Sequence, residues 1–198
     1  MDYKKRWNVD ATELLYKDNL AEEIFEARAD KIDFKLISDV VKDYKNILDI
    51  GCGTGIVYWY LKKHNKLNNK NYTMIDLKIG NNKVCKKINN ILPDLWDGIK
   101  LPYKDNQFDL GISLSVMHHI EPKDISAFFK ENIRVCKNFY LITCIGDGEI
   151  KEYVKKGKKG ICAWHNYHKI IKDNNLKIIS DNKGYKMRTN FLLNKKDK

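Results

Sequence analysis

Arginine is nearly missing from this chain. The basic set numbers 37, yet only Arg6, Arg28, Arg134 and Arg188 are arginine, and the remainder is lysine. The formal net charge of +11 and the pI near 9.3 would suggest an anionic partner. Recognition of phosphates and bases favours the planar guanidinium fork, so a lysine surplus is a weak sign of nucleic acid. A Lys- and Asn-rich composition is also what an AT-rich genome yields. No apolar run reaches the length of a membrane span, and Met1 to Arg6 is not followed by the apolar stretch of a signal peptide. A soluble, cytoplasmic protein with no membrane partner is the expectation. The five cysteines (Cys52, Cys85, Cys136, Cys144, Cys162) are odd in number and scattered, with no C-x-x-C and no metal-ligand spacing. Reduced thiols and no metal are expected. No internal repeat and no second domain is visible, and 198 residues at 43% hydrophobic content suffice for one core.

What is present concentrates in Asn46-Ile-Leu-Asp-Ile-Gly-Cys-Gly-Thr-Gly55. An apolar run enters three glycines, and a helix-like segment, Ile56 to Leu61, follows. The pattern predicts a buried strand, a tight turn and a helix N-terminus, a place where backbone meets ligand closely. The dinucleotide fingerprint G-x-G-x-x-G requires glycine at position 56, where Ile56 stands, so a nicotinamide enzyme is disfavoured. A second strand, Asn71 to Asp76, ends in an acid twenty-five positions after Gly51. In nucleotide-binding α/β folds an acid there accepts from both ribose hydroxyls. Asp97-Gly-Ile-Lys-Leu-Pro-Tyr103, a polar turn and Phe108-Asp-Leu-Gly-Ile-Ser-Leu114 complete the series.

These segments, spanning about Ile47 to Ile120, resemble the motifs of the class I S-adenosylmethionine-dependent methyltransferases, of the type 11-like kind. The resemblance implies S-adenosylmethionine as cofactor and S-adenosylhomocysteine as product. Asp49, Gly51, Cys52 and Gly53 would form the cofactor turn, with Asp76 on the ribose and Leu77 against the adenine face. Asp97 would accept from the adenine amine, the Gly98 N–H would reach the ring, and Ser113 would close the site. Read from the residues alone, Asp97 is equally a turn residue beside Gly98.

The expected fold is α/β: a Rossmann-like, doubly wound, seven-stranded sheet, mostly parallel with an antiparallel C-terminal strand. Residues 1–44 read as a helical cap in which Tyr3, Trp7, Tyr16 and Arg28 are candidate lid contacts. The methyltransferase domain is expected over 45–194, with 195–198 as a polar tail. Within it, strands are expected at 46–50, 71–76, about 91–96, 108–114 and 139–145, and helices at 54–63, 80–89, 125–135 and 167–174. An antiparallel pair, 176–180 and 189–193, closes the sheet, and the charged stretch around Lys155 to Gly160 reads as a loop.

The methyl acceptor belongs past the fourth strand, at Ser113-Leu-Ser-Val-Met-His118-His119-Ile120. This stretch has no Asp/Asn-Pro-Pro-aromatic motif of amino-group methylation on bases, no cysteine nucleophile, and Ser113 where ribose 2′-O enzymes carry an acid. Its ending resembles enzymes acting on quinones, sugars and amino alcohols, and also the wobble-uridine tRNA group. Against the phosphoethanolamine enzymes, His119 matches their histidine while Ser115 replaces their acid. A histidine titrating near neutrality can take the acceptor's proton. The candidates are His119, His118 and, in the cluster Trp164 to His168, His165. For each the alternative is packing. The expected reaction is methylation of O or N on a small polar metabolite, a sugar or sugar nucleotide included. The alternatives are a wobble-uridine-type RNA methyltransferase and a non-catalytic cofactor-binding partner subunit. Composition leaves the oligomeric state open.

Overall fold

The computed structural model describes Phe25 and residues 34–77, 79–98, 100–144, 150–155, 158–163, 165–183 and 188–195. The candidate lid residues Tyr3, Trp7, Tyr16 and Arg28, the rest of the cap ahead of residue 34, Trp164 and residues 196–198 lie outside it. Described strands are β1 (Asn46–Ile50), β2 (Asn71–Asp76), β3 (Asp94–Leu95), β4 (Phe108–Leu114), β5 (Cys136–Cys144), β6 (Ile150–Lys155), β7 (Lys158–Ala163), β8 (Leu176–Lys183) and β9 (Arg188–Lys195). Described helices are α1 (Phe34–Val41), α2 (Ile56–Lys63), α3 (Ile79–Asn89), α4 (Ile125–Val135) and α5 (Tyr167–Asp173).

The main sheet has seven strands in the order β3-β2-β1-β4-β5-β9-β8. β1 to β5 pair in parallel, while β9 runs antiparallel to both β5 and β8. The antiparallel strand therefore lies inside the sheet, and β8 forms the edge. The sheet is the seven-stranded, mostly parallel one expected, with its C-terminal strand antiparallel. Phe191 and Leu193 of β9 are fully buried, which an interior position requires.

Strand alternation divides the core into two layers. Leu48 and Ile50 of β1 face Phe128, Phe129, Phe139, Leu141 and Tyr167. Ile47 faces the other way, with Leu110, Ile112, Tyr140, Ile142 and the helices α1 and α2. In α1, Phe34, Ile37, Ser38 and Val41 recur at three and four residues and are the buried face. Phe34 stacks on Tyr60 at 4.5 Å between centroids, and Phe25 meets Trp59 edge-on at 5.5 Å, so α1 and Phe25 pack on α2.

Three element bounds differ in instructive ways. α4 runs straight into β5, which begins at Cys136 because that residue pairs with Phe108 at the start of β4. β9 extends to Lys195, into the segment read as tail, because Lys195 pairs with Leu176. The stretch expected to be a loop is instead an antiparallel ribbon, with β6 and β7 joined across two residues and paired from Ile150↔Ala163 to Lys155↔Lys158.

Asparagine has structural work here beyond composition. Asn65, Asn69, Asn90, Asn106 and Asn175 all stand in the left-handed region, with φ of 55°, 61°, 57°, 53° and 54°. Three of them follow the ends of α2, α3 and α5, where asparagine is the tolerated substitute for glycine. Among the described residues no helix is long and apolar enough to cross a membrane.

Candidate active site

The carboxyl ends of β1, β2, β3 and β4 converge on one rim, where open α/β sheets bind ligands. After β1 the chain turns through Gly51, Gly53 and Gly55, at φ of 71°, 59° and 79°. Backbone bonds from Gly51 N–H (2.8 Å) and Cys52 N–H (3.1 Å) to the Ile75 carbonyl tie this turn to β2. The three glycines are required for different reasons. A Cβ at Gly51 would lie 2.5 Å from Val116 Cγ2, and one at Gly55 would lie 2.5 Å from Cys85 Sγ. At Gly53 a Cβ would meet nothing within 4 Å. The protein packs against the outer two glycines and leaves the middle one facing open space.

Two carboxylates frame that opening. Asp76 is buried, and its Oδ2 accepts the Gly53 N–H at 2.8 Å. Asp49 is 1% exposed, and Tyr72 donates its hydroxyl to Asp49 Oδ2 at 3.0 Å. Burial pushes the Asp49 carboxyl up to about 7; the Tyr72 bond opposes that rise and the Asp76 charge adds to it. Cys52 is buried at the turn, with burial first and the Asp49 charge next holding its thiol far above the ordinary range. Leu77 follows Asp76 and is half-buried.

β3 brings Asp97 to the same rim, because Trp96 N–H donates to the Asp76 carbonyl at 3.0 Å. Asp97 is exposed, its Oδ1 accepts the Lys100 N–H at 3.1 Å, and Gly98 stands at φ 81°. That is turn geometry.

β4 leaves the sheet through Ser115, at φ 58°, a strained position for serine. Val116 then lies over Gly51, and Met117–His119 form a single 3₁₀ turn. The His118 and His119 rings are 3.8 Å apart, both half-buried, with both Nδ1 atoms enclosed. Val116 thus joins the histidine-bearing turn to the glycine turn. Ser113 lies below, 0% exposed, and its hydroxyl has no partner among the described residues.

His165 is 2% exposed, and its Nε2–H reaches two carbonyls of that 3₁₀ turn, Met117 at 3.0 Å and Ile120 at 3.1 Å. Burial holds its basicity below the ordinary value, against the two carbonyl bonds. The geometry is that of a clamp between the start of α5 and the turn. His165→Leu should cost about 1–3 kcal/mol in urea unfolding, since it strands two buried carbonyls. Amide exchange at Ile120, whose N–H bonds to Met117 O, should lose protection.

The sequence offered no hint of Tyr72, of His165's carbonyl partners, or of Asn89, whose Nδ2 donates to the Thr54 and Gly55 carbonyls at 3.3 and 3.4 Å. Each acts across 23 to 48 residues of chain, and no local pattern encodes such a pairing. Among the described residues no His, Cys, Asp and Glu group could hold a metal ion.

Known proteins resemble this chain over the same segment. Residues 47–138 match the family model described as a methyltransferase domain. Over that stretch the chain is similar to methyltransferase domains. Norajmaline N-methyltransferase of Rauvolfia serpentina is 32% identical over 104 residues, which are 50% of this chain and 35% of that protein. Probable tRNA methyltransferase 9B of Homo sapiens is 31% identical over 110 residues, 54% of this chain and 21% of that one. This chain therefore spans well under half the length of these curated relatives. In fold, an S-adenosylmethionine-dependent methyltransferase from Clostridium acetobutylicum superposes with a TM-score of 0.63 at 17% identity, covering 89% of this chain and 98% of its own.

The rim has the chemistry to accept S-adenosylmethionine, the cofactor named for the Clostridium acetobutylicum protein. An open backbone approach at Gly53 stands between two buried carboxylates, and the cofactor carries a net positive charge. No cation of the described residues pairs with Asp49.

Proposed function

We propose that this chain is an S-adenosylmethionine-dependent methyltransferase that acts on an oxygen or nitrogen of a small polar metabolite, with sugars and sugar nucleotides in the class. The observation that carries the reading is the His118–His119 turn lying on the glycine turn through Val116. The relative named for N-methylation of norajmaline supports a small acceptor. The bound cofactor supplies an activated methyl group and leaves as a neutral thioether. The chain's own part is alignment, exclusion of water and disposal of one proton. Gly51, Cys52, Gly53 and Asp49 hold the cofactor's amino-acid end. Asp76 takes the ribose hydroxyls, with Leu77, Asp97 and Gly98 around the adenine. Ser113, enclosed beneath the turn, supports the floor of the site.

His119 takes the acceptor's proton, with His118 beside it. Because His119 Nδ1 is enclosed, Nε2 is the nitrogen through which it acts. His165, with its Nε2–H committed to carbonyls, holds the turn and does not act as base. His119→Ala should leave S-adenosylmethionine affinity unchanged and lower turnover by about a hundredfold or more. Unchanged turnover would return His119 to packing.

A second reading is favoured by the relative named as a probable tRNA methyltransferase and by the +11 charge. Calorimetric titration of S-adenosylmethionine with and without bulk tRNA separates the two. Affinity indifferent to RNA supports the small acceptor. Affinity that tightens only with RNA, and falls steeply with salt, overturns it in favour of RNA.

A further inference from the structure

Tyr72 has no assigned role in the strand motif it belongs to, yet it touches the most enclosed carboxylate at the rim. It stands one residue into β2, where the register sets it opposite Ile47. Its ring packs on Tyr58 of α2 at 5.6 Å, and its hydroxyl reaches Asp49 Oδ2 at 3.0 Å. The other groups facing Asp49 give its charge no help. Asp76 at the end of β2 is a second carboxylate, and Cys52 on the turn and Cys85 on α3 are neutral thiols whose own ionisation the two acids oppose. Among the described residues the Tyr72 hydroxyl is the donor Asp49 has.

We propose that Tyr72 is a positioning residue of the cofactor site: its hydroxyl holds Asp49 as an oriented carboxylate beside the glycine turn and thereby sets the pH range of cofactor binding. The proposal rests on the assignment of Asp49 to that site. A phenol donating to a carboxylate makes a charge-assisted bond, about twice as strong as one to the neutral acid, so the contact selects the ionised form. A ligand with net positive charge selects the same form. Binding below the titration of Asp49 must therefore expel a proton, and affinity falls with decreasing pH. Native Asp49 titrates at about 7 against an ordinary 3.8, so between those values the folded protein keeps a proton the unfolded chain has lost. Stability is accordingly lost as pH rises through that interval. Without the hydroxyl the acid form persists to higher pH.

The test is Tyr72→Phe, which keeps the ring and its contact with Tyr58 and removes only the donor. S-adenosylmethionine is titrated calorimetrically into both proteins between pH 6 and about 9.5. The variant should bind about tenfold more weakly near pH 7 and approach wild-type affinity at the alkaline end. Thermal unfolding without cofactor reads the pair independently. The variant's deficit should be small near pH 5 and widen as pH rises through about 7. Equal affinity at every pH, or one constant loss with a constant unfolding deficit, overturns the role of Tyr72. Absence of binding by the wild type at every pH overturns the cofactor site itself, and the proposal with it.

Discussion

Asp76→Ala should weaken S-adenosylmethionine binding by about ten- to several hundredfold, the largest loss expected from any single carboxylate of the rim. Two effects combine. The substitution removes the charge-assisted bonds proposed to the ribose hydroxyls, and it also releases the Gly53 N–H that Asp76 Oδ2 accepts at 2.8 Å. That bond fixes the middle of the turn where the backbone faces open space. Asp76→Asn separates the contributions, because an amide oxygen can still accept from Gly53 while the charge is gone. The expected order of affinity is wild type, then Asn, then Ala, read by calorimetry at one pH. Removing Asp76 also relieves its repulsion on Asp49, which returns a small part of the loss. Near-normal affinity in the alanine variant would remove the ribose assignment.

The glycine turn gives the second large effect, and its three members should part company. In Gly51→Ala the new methyl meets Val116 Cγ2 at 2.5 Å, on a backbone already at φ 71°. Left-handed strain of about 1–2 kcal/mol and overpacking of about 1–3 kcal/mol then add. Gly51→Ala should show a clear drop in thermal stability. Gly55→Ala faces the same conflict with Cys85 Sγ at 2.5 Å and Asn89 Nδ2 at 2.6 Å. In Gly53→Ala nothing lies within 4 Å, so only the strain of φ 59° applies, about 1–2 kcal/mol. Its effect should appear instead in binding, as a loss of more than about tenfold, because the methyl occupies the approach left open to the ligand. Thermal unfolding and calorimetry on the three variants would then give opposite rank orders. Cofactor affinity unchanged in Gly53→Ala would mean that the ligand does not approach there.

Much of this architecture was readable in the chain. β1, β2 and β4 fall at the residues expected, because central parallel strands are short apolar runs bounded by turn residues. Asp49, Gly51, Gly53 and Asp76, which are proposed to hold the cofactor, lie on one rim, since each stands at or just past the carboxyl end of β1 or β2. The ribbon β6–β7 was illegible for the opposite reason. Its two segments carry four lysines in twelve residues and lack a continuous apolar run, and mutual pairing gives them their extended form. β9's place inside the sheet was illegible as well. Alternation identifies a strand and its partner but does not say which of two neighbours a hairpin turns toward.

The functional side chains divide along the same line. By itself the sequence determined the glycine turn, the acids at the strand ends and the histidine pair after β4, because local chemistry demands those residues at those spacings. Only the tertiary structure decided which residues serve them. It put Tyr72 on Asp49, Val116 on Gly51, and Asn89 on the Thr54 and Gly55 carbonyls. It also turned His165 from a candidate base into a clamp on the turn it was expected to act beside. Those contacts join side chains from different elements. A hydrogen bond between distant segments depends on how the layers pack, and that is settled only when the whole core closes.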